Sequence, residues 1–411
     1  MLPLKSKILL FPYWAALKIR HLLYDKGIMK SSSFPVPVIC IGNITVGGTG
    51  KTPHTEMIIR MLQDKYRVAV LSRGYKRKTK GFRIATLSDT FAEIGDEPLQ
   101  IKHKFPHITV AVCEDRCFGI EKLLELPVPH NNAAAGGAGA GVADAAGGAG
   151  VADVAGGAGV TDVTGTAGTV GDSAPVDKAN IASAPQDAHY RPEIIILDDA
   201  FQHRRVKPSH SIVLMNWQNP IFTDNLLPLG RLRDLPEQIC RANSVIVTKS
   251  PLFGEHDGII DEPLAAEQIA PIEKEWRARL NLRPEQNLCF SYITYGNPKA
   301  VFPFEGDNRY IYSKSAIFFT GIANDSQFKE HIADTYKILG SLKFPDHYNF
   351  SQANIRDINS WAAKHPTSVV LTTEKDSMRL MSNPHISADL KKRLFYIPIE
   401  VRLLPSQTVQ L

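Results

Sequence analysis

Cysteine is scarce in this chain of 411 residues, and no two of its five cysteines form a Cys-x-x-Cys pair. That pattern argues against structural zinc and against a disulfide framework, and it fits a reducing compartment. An excess of one charge is also lacking, since 47 basic residues face 42 acidic ones, giving a formal net charge of +5. So mild an excess, without an RNA- or DNA-binding motif, predicts no nucleic-acid partner. Nothing in the sequence indicates an obligate protein partner.

A third absence is an apolar run long enough to span a membrane, which takes roughly 18–20 residues. Residues 1–30 come nearest, but Pro12 and several charges interrupt them. Their basic residues are Lys5, Lys7, Lys18, Arg20, Lys26 and Lys30, against Asp25 as the single acid. No small-residue cleavage site follows, so we expect no signal peptide. A basic amphipathic segment with Trp and Tyr suits the headgroup layer of an anionic membrane. The alternative is an ordinary helix packed on the domain.

Short β-branched runs alternate with helical segments along most of the remaining chain. These runs are 36–41, 67–71, 108–112, 193–197, 211–215 and 244–247, then 316–320, 368–372 and 395–397. The alternation predicts an α/β fold of the P-loop NTPase type, with a doubly wound, mostly parallel sheet. We expect residues 31–250 to form this domain and residues 251–411 to form a second, smaller α/β lobe.

Residues 128–190 have a different composition, dominated by Ala, Gly, Val, Asp and Thr with a nine-residue repeat. Such a tract cannot bury enough apolar surface to order itself, so we predict a disordered insertion in a surface connection of the first domain. Calcium-binding nine-residue repeats are the alternative, but there one residue separates the last glycine from the aspartate, whereas two do so here. Deleting residues 131–189 is therefore expected to leave activity largely intact.

The most informative segment is rich in glycine and directly follows the apolar run 36–41. Successive glycines let backbone N–H groups turn toward phosphate oxygens, Lys51 supplies a charge for the β and γ phosphates, and Thr52 supplies a hydroxyl for Mg²⁺. The usual pattern has Gly where Thr45 stands. The predicted nucleotide loop comprises Thr45, Val46, Gly47, Gly48, Thr49, Gly50, Lys51 and Thr52.

A second nucleotide element is the apolar run 194–197 followed by Asp198 and Asp199. Carboxylates at such a strand end are expected beside a Mg²⁺ ion held by Thr52. A helix cap is the alternative for an isolated aspartate pair. The two elements together predict a protein that binds ATP and Mg²⁺.

The glycine-rich segment 35–53 resembles that of the tetraacyldisaccharide 4'-kinases, the lipid A kinases of bacterial envelope synthesis. Seven further segments agree in order: 72–75, 95–98, 198–203, 227–234, 320–323, 344–347 and 373–376. The resemblance covers nearly the whole chain outside the insertion. Ala200 departs from it, because glycine is expected at that position.

The resemblance implies transfer of the ATP γ-phosphoryl group to the 4'-hydroxyl of an acylated glucosamine disaccharide 1-phosphate. It implies that Asp96 accepts the hydroxyl proton and that His347, from the second lobe, either orients Asp96 or shares the proton. The second lobe would thus contribute to the acceptor site.

Charge neutralisation during phosphoryl transfer requires cations besides Lys51. Within the matched segments Arg233 is the candidate catalytic cation, with Arg73 and Arg231 as further candidates. Asp234 is expected to add a carboxylate to the metal site. An acceptor with several acyl chains stays in the bilayer, so we expect a peripheral protein on the cytoplasmic face of the bacterial inner membrane.

Two other P-loop classes are alternatives. Partition-type, membrane-associated ATPase switches have the loop Lys-Gly-Gly-x-Gly-Lys-Thr, but Val46 stands in the place of their signature lysine. A GTPase requires an Asn-Lys-x-Asp element, and the nearest run, 248–251, lacks both its Asn and its Asp. The sequence therefore favours the sugar kinase.

Overall fold

The described residues form two large sheets and one two-stranded antiparallel sheet. The computed structural model describes residues 4–128, 189–251, 253–256, 259–263, 266–405 and 407–411. The insertion predicted for residues 128–190 lies, apart from its flanks, outside the described residues. The strands are β1 (Val38–Asn43), β2 (Val68–Ser72), β3 (Arg83–Ile84), β4 (Thr109–Val112), β5 (Ile194–Asp198), β6 (His210–Asn216), β7 (Ser244–Thr248), β8 (Phe253–His256), β9 (Ile259–Pro263), β10 (Asn287–Tyr295), β11 (Lys299–Ala300), β12 (Ser315–Thr320), β13 (Lys337–Lys343), β14 (Val369–Thr373), β15 (Leu394–Ile397) and β16 (Ile399–Leu403).

Helices connect most of these strands. They are α1 (Leu4–Asp25), α2 (Lys51–Leu62), α3 (Phe91–Ile94), α4 (Asp96–Lys104), α5 (Arg116–Leu124), α6 (Ala266–Leu280), α7 (Ser326–Thr335), α8 (Gln352–Ala363), α9 (Glu374–Leu380) and α10 (Ala388–Arg393). Two short 3₁₀ helices, Pro236–Arg241 and Asn308–Tyr312, complete the described elements.

The larger sheet has nine strands in the order β16-β10-β7-β6-β1-β5-β2-β4-β3. The strands from β10 to β4 are parallel, while β16 and β3 are antiparallel edge strands. Strand β1 is central and pairs with β5 on one side and β6 on the other. Because the carboxyl ends of parallel strands share one edge, the loop after β1 and the aspartates after β5 meet there.

Helices cover both faces of this sheet, which is the doubly wound arrangement that the sequence predicts. Residues of α1, α5 and α6 join one apolar cluster, for example Leu17, Ile120 and Trp276. Residues of α2 and α4, for example Ile58 and Leu99, join the cluster on the opposite face. Strands β1, β2, β4, β5 and β7 are buried along their whole length and are rich in Val and Ile, as expected for parallel strands between two helix layers.

The smaller sheet has five strands in the order β11-β15-β14-β12-β13, of which β11 alone is antiparallel. The loops after β12, β13 and β14 leave from its carboxyl edge. They carry the segments 320–323, 344–347 and 373–376 that the sequence analysis singles out. A second α/β lobe is therefore present.

The predicted domain boundary at residue 250 does not coincide with a change from the larger sheet to the smaller one. Strand β10 pairs with β7 in parallel, and β16 returns antiparallel beside β10, so both complete the larger sheet. The buried residues Leu288, Cys289 and Phe290 explain why β10 belongs there, since they pack into the two clusters of that sheet. The prediction that residues 251–411 form the second lobe is therefore wrong for these two strands.

Helix α1 is packed on the larger sheet along one face. Leu17, His21 and Tyr24 are buried, whereas Phe11, Ile19 and Leu22 are at least half exposed. Among the residues that the structure describes, no helix is long and apolar enough to cross a membrane. The helix thus has one side in the core and an apolar side in solvent.

Candidate active site

The glycine loop leads from β1 into α2 with the backbone that the sequence predicts. Gly47, Gly48 and Gly50 have φ angles of 74°, 51° and 76°, in the left-handed region that favours glycine. Cβ atoms on Gly47 and Gly48 would meet no atom within 4 Å, so the loop borders open space. Gly50 precedes α2 without a side-chain cap, leaving the N–H groups of the first turn for an anion.

Three hydrogen bonds hold this loop and the start of α2 in place. Thr49 Oγ1 accepts a hydrogen bond of 2.8 Å from Asn43 Nδ2. His54 Nδ1 donates to the Gly50 carbonyl oxygen at 2.7 Å, and its Nε2 accepts from the Ser291 hydroxyl at 2.8 Å. Because Ser291 lies on β10, that strand braces the loop.

The segment around Arg231–Arg233 runs beside the loop. Thr45 forms an isolated antiparallel bridge with Leu232, and the Val46 N–H donates to the Arg231 carbonyl at 2.8 Å. Val46 is predicted to belong to the nucleotide loop, but its N–H is already engaged by Arg231. Arg231 is exposed, whereas Arg233 turns back toward the loop.

Arg233 and Lys51 share one carboxylate. The Arg233 guanidinium contacts both Asp199 oxygens, and Lys51 Nζ lies 3.8 Å from Asp199 Oδ2. Burial raises the pKa of Asp199, but the hydrogen bond from Arg233 and the charge of Lys51 outweigh it, so the pKa lies below its usual value. The structure thus brings together three of the predicted site residues.

Asp198 lies in a different environment from its neighbour. Its side chain is 1% exposed and accepts weak hydrogen bonds from Thr55 Oγ1 at 3.3 Å and Ser72 Oγ at 3.4 Å. Burial raises its pKa to about 7, with the charges of Glu97 and Asp199 acting in the same direction. A buried carboxylate without a strong donor is a site where a cation would be stabilised.

Asp96 begins α4, directly after Gly95, whose φ angle is 94°. A Cβ on Gly95 would lie 3.2 Å from the Tyr75 carbonyl oxygen, so glycine allows segment 72–75 to approach Asp96 closely. Asp96 is 5% exposed. Burial raises its pKa, but the His347 hydrogen bond and the Arg379 charge outweigh burial and hold the pKa well below its usual range.

The second lobe supplies the partners of Asp96. His347 Nδ1 lies 3.0 Å from Asp96 Oδ2, and Arg379 NH2 bonds the same oxygen. Lys375 Nζ lies 2.9 Å from His347 Nε2, and Arg379 NH1 donates to Asp376 at 2.9 Å. The predicted meeting of Asp96 and His347 is present, and the sequence analysis assigned no role to Lys375 or Arg379.

Glu97 is a further carboxylate to which the sequence analysis assigned no role. Burial raises its pKa, and its charge interacts with Lys51 and Asp198 as well as with Asp96 and His347. Glu97 therefore links the phosphate-loop side of the site to the Asp96 side. The motif 95–98 contained this residue, but only the fold shows what surrounds it.

Asp234 does not lie beside the glycine loop, where a ligand of the metal is expected. It is fully buried beneath α1, where Oδ1 lies 2.6 Å from His21 Nε2 and accepts the Leu235 N–H at 2.9 Å. Arg241 NH2 lies 3.7 Å from its second oxygen. In the described residues no contact joins Asp234 to the glycine loop, so its metal role stays a prediction that no contact supports.

A cavity of about 190 Å³ opens beside Asp96. Its walls include Tyr75, Lys76 and Phe91 from the first lobe and His347 and Arg379 from the second. Aromatic and cationic groups thus border the carboxylate that the resemblance assigns as the base. Among the described residues, no group of three or more His, Cys, Asp or Glu side chains could hold a metal by itself.

The doubly wound sheet, the glycine loop after β1 and the adjacent aspartates after β5 define a P-loop protein of the α/β class. Comparisons with known proteins narrow this class. The model of the family described as tetraacyldisaccharide-1-P 4'-kinase matches residues 6–129 and 176–411. The chain therefore belongs to the tetraacyldisaccharide-1-P 4'-kinase family.

Individual relatives agree with this assignment. The chain is 36% identical over 408 residues to the tetraacyldisaccharide 4'-kinase of Bacteroides thetaiotaomicron, covering 96% of this chain and 87% of that protein. Identity to the Porphyromonas gingivalis enzyme of the same name is 34% over 402 residues, covering 96% and 91%. The predicted family and its kinase activity are confirmed, and the partition-type ATPase is not favoured.

A solved structure supports the fold. LpxK from Aquifex aeolicus, crystallised in complex with ATP, superposes with a TM-score of 0.61 and 24% identity. The match covers 98% of this chain and 96% of that one.

Proposed function

We propose that this chain transfers the γ-phosphoryl group of ATP, with Mg²⁺, to the 4'-hydroxyl of an acylated glucosamine disaccharide 1-phosphate in lipid A biosynthesis. The observation that carries this proposal is the set of charges around Glu97, the residue that follows Asp96. Its charge interacts with Lys51 on the phosphate-loop side and with Asp96 and His347 on the other. A nucleotide phosphate and a sugar hydroxyl can therefore meet within one site.

At the donor end the chain offers positive charge and oriented N–H groups. The first turn of α2 and Lys51 bind the β and γ phosphates, and Arg233 lies across Asp199 from Lys51. Arg73 is exposed beside the same edge, and its charge acts on Arg116 and His203. These cations offset the charge on the transferred group, which is the main requirement of phosphoryl transfer.

The oxygen-rich side chains near the loop fit Mg²⁺. Thr52 offers a hydroxyl, Asp198 is buried and Glu97 is partly buried, and burial raises the pKa of both carboxyl groups. Mg²⁺ in phosphoryl-transfer sites is commonly held by one or two carboxylates together with substrate phosphates. When bound, it neutralises charge on the β and γ phosphates. Asp199, already paired with Arg233, is the weaker candidate ligand.

At the acceptor end Asp96 is the proton acceptor. Among the residues that the structure describes, Asp96 Oδ2 contacts His347 Nδ1 and accepts a hydrogen bond from Arg379, whereas Oδ1 accepts a single hydrogen bond, from the Glu97 N–H at 3.1 Å. Oδ1 is therefore the oxygen available to the acceptor hydroxyl. A fixed, ionised carboxylate suffices, because the loose transition state of phosphoryl transfer demands positioning more than a strong base.

We further propose that the chain works as a peripheral protein on the cytoplasmic face of the inner membrane. The exposed side of α1 carries Phe11, Ile19 and Leu22, flanked by Lys18 and Lys26. Such a surface suits an anionic lipid interface. The same helix is tied to the site, because the Tyr13 hydroxyl donates to the Arg233 carbonyl at 2.9 Å. A lipid acceptor would thus be met beside the catalytic edge.

The decisive experiment uses purified protein, ATP labelled at the γ position with Mg²⁺, and a lipid A disaccharide 1-phosphate precursor. Label is expected in the lipid, at the 4' position. Release of labelled phosphate without a labelled lipid would favour the ATPase alternative and overturn the proposal.

A further inference from the structure

His54 lies in the first turn of α2, four residues after the last glycine of the nucleotide loop. Its side chain is buried. Nδ1 of the ring donates to the Gly50 carbonyl oxygen at 2.7 Å, and the backbone N–H of His54 donates to the same oxygen at 3.2 Å. One residue therefore supplies two hydrogen bonds to a single carbonyl of the loop.

The Gly50 carbonyl matters because the same peptide unit contains the Lys51 N–H. In a planar trans peptide the C=O and the N–H point in opposite directions. A carbonyl held toward His54 therefore directs the Lys51 N–H outward from the start of α2. Pro53 has no N–H and the His54 N–H is engaged, so the first turn leaves the N–H groups of Lys51 and Thr52 for an anion.

The second ring nitrogen of His54 holds the ring itself. A carbonyl oxygen can only accept, so the proton of the ring sits on Nδ1. Burial lowers the pKa of His54 to about 4, so the ring is neutral near pH 7. Nε2 is consequently the accepting nitrogen, and it lies 2.8 Å from the Ser291 hydroxyl, which donates to it.

Ser291 is fixed because it lies inside the larger sheet, on β10. It is buried and stands opposite Leu403 of β16, and its carbonyl oxygen accepts the Ser250 N–H at 3.0 Å. Strand β10 then leads through residues 296–298 into β11 of the smaller sheet. The His54 ring thus ties the nucleotide loop to a strand that connects the two lobes.

We propose that His54, anchored on Ser291, is a positioning residue that holds the Gly50–Lys51 peptide so that the first-turn N–H groups face the phosphates of ATP. The inference rests on the proposed binding of those phosphates at the glycine loop. The N–H groups contact the nucleotide before and during transfer, so they stabilise the ground state and the transition state alike. A change at His54 should therefore alter KM for MgATP more than kcat.

Two substitutions at His54 separate its hydrogen bond from its volume. His54→Phe keeps a ring of similar size but cannot donate to Gly50. We expect KM for MgATP to rise about tenfold, close to the loss of one hydrogen bond, while kcat stays within about threefold. His54→Asn can donate its side-chain amide to the Gly50 carbonyl and is expected to keep KM within about threefold of the unsubstituted value.

A binding measurement without turnover supplies the second readout. The probe is MgADP that carries a fluorescent N-methylanthraniloyl group, titrated into the full chain. Its Kd should follow the same order as KM, rising about tenfold in His54→Phe and much less in His54→Asn. Ser291→Ala leaves the ring donor in place but removes its anchor, so its Kd should rise about threefold.

The control is a second contact between α2 and the strands that connect the lobes. Arg60 lies 3.6 Å from Glu400 of β16, and Glu400→Gln removes this ion pair. Its KM and Kd should match those of the unsubstituted protein. Thermal melts show which variants are folded.

A folded His54→Phe with unchanged KM and Kd would overturn the proposal. So would a His54→Asn as weak as His54→Phe, because the amide restores the donor and not the volume. If His54→Phe does not fold, Ser291→Ala decides: an unchanged Kd overturns the proposal, and a raised Kd beside a normal Glu400→Gln supports it.

The outcomes also separate this inference from the proposed function. Binding of the labelled MgADP needs no lipid acceptor. If the unsubstituted protein binds it but transfers no phosphate to the lipid, the proposed function fails while the role of His54 stands. If the unsubstituted protein does not bind it, the inference fails.

Discussion

Asp96 Oδ2 and His347 Nδ1 lie 3.0 Å apart although 251 positions separate the two residues in the sequence. Asp96 begins a helix on the larger sheet, and His347 follows β13 of the smaller one. The pair exists only when the two lobes are docked. Arg379 strengthens the docking, because it also reaches Asp96 from the second lobe.

The first prediction concerns Asp96 as the proton acceptor. Asp96→Asn keeps the shape of the side chain but removes the base, so kcat is expected to fall about 10²–10⁴-fold with little change in KM for MgATP. Initial rates with the lipid acceptor measure the effect, and a thermal melt confirms folding. Asp64→Asn, at an exposed position, is the control. A variant with near-normal kcat would exclude Asp96 as the base.

Lys51 is the subject of the second prediction. Lys51→Ala removes the cation of the glycine loop and is expected to lower kcat by at least about 10²-fold, comparable to the loss of one transition-state donor. The fold should persist, because Asp199 retains its contacts with Arg233. Lys65→Ala, an exposed lysine after the same helix, should behave like the unsubstituted protein. Retained activity in Lys51→Ala would refute the loop assignment.

The third prediction is a pH dependence of stability at Glu56, which is fully buried on α2. Glu56 and Glu374 share one ammonium, since Lys104 Nζ lies 2.7 Å from the former and 3.0 Å from the latter. Burial, aided by the Glu374 charge, raises the pKa of Glu56 from 4.5 to about 7 despite Lys104. The folded protein therefore binds more protons than the unfolded chain between those two pH values.

The free energy of unfolding should consequently fall as the pH rises from 4.5 to about 7. Glu56 is expected to account for on the order of 2 kcal/mol of that fall. Glu56→Gln keeps a partner for Gln100 and removes the titration, so its melting temperature should vary less between pH 5 and 8. Thermal unfolding at four pH values measures the difference. Glu125→Gln, in an exposed ion pair with Lys122, should retain the original slope, and an equal slope in both variants would contradict the assignment.

The fourth prediction concerns the exposed side of α1. The triple variant Phe11→Gln, Ile19→Gln and Leu22→Gln is expected to reduce recovery with anionic vesicles in flotation, because it removes apolar area from the proposed interface. Whole-helix removal is a poorer test, since Leu17 and Tyr24 lie in the core. The control is Phe304→Gln with Tyr312→Gln, two exposed aromatic residues of the second lobe. Equal recovery of the two variants would contradict the membrane role and indicate that α1 is an ordinary helix packed on the domain.

Local chemistry made the phosphate-loop side of the site predictable from sequence. The glycines at 47, 48 and 50 predict the left-handed backbone that the loop adopts. Each of the six strands predicted before residue 250 matches an observed strand, with ends shifted by two residues or fewer. Strands β10 and β16 were missed because their place depends on pairing with β7 and with each other. Their residues carry no local signal for which sheet they join.

The acceptor side was predictable only through the family resemblance. No spacing rule brings His347 to Asp96, because the docking of two sheets sets that distance. Lys375 stood in a recognised motif without a role, and Arg379 stood outside any motif. Asp234 was expected at the metal site because it ends the matched segment 227–234, but the fold places it beneath α1 against His21.

One backbone contact bears on the Ala/Gly insertion. The Arg191 N–H donates to the Pro127 carbonyl oxygen at 2.8 Å, so the chain leaves and re-enters the larger domain at a single point. This junction is therefore suited to the insertion of another domain by protein engineering. Residues 131–188 could be replaced by a fluorescent protein or an affinity domain whose own termini lie close together. The enzyme would then carry a label without a fusion at either end of the polypeptide.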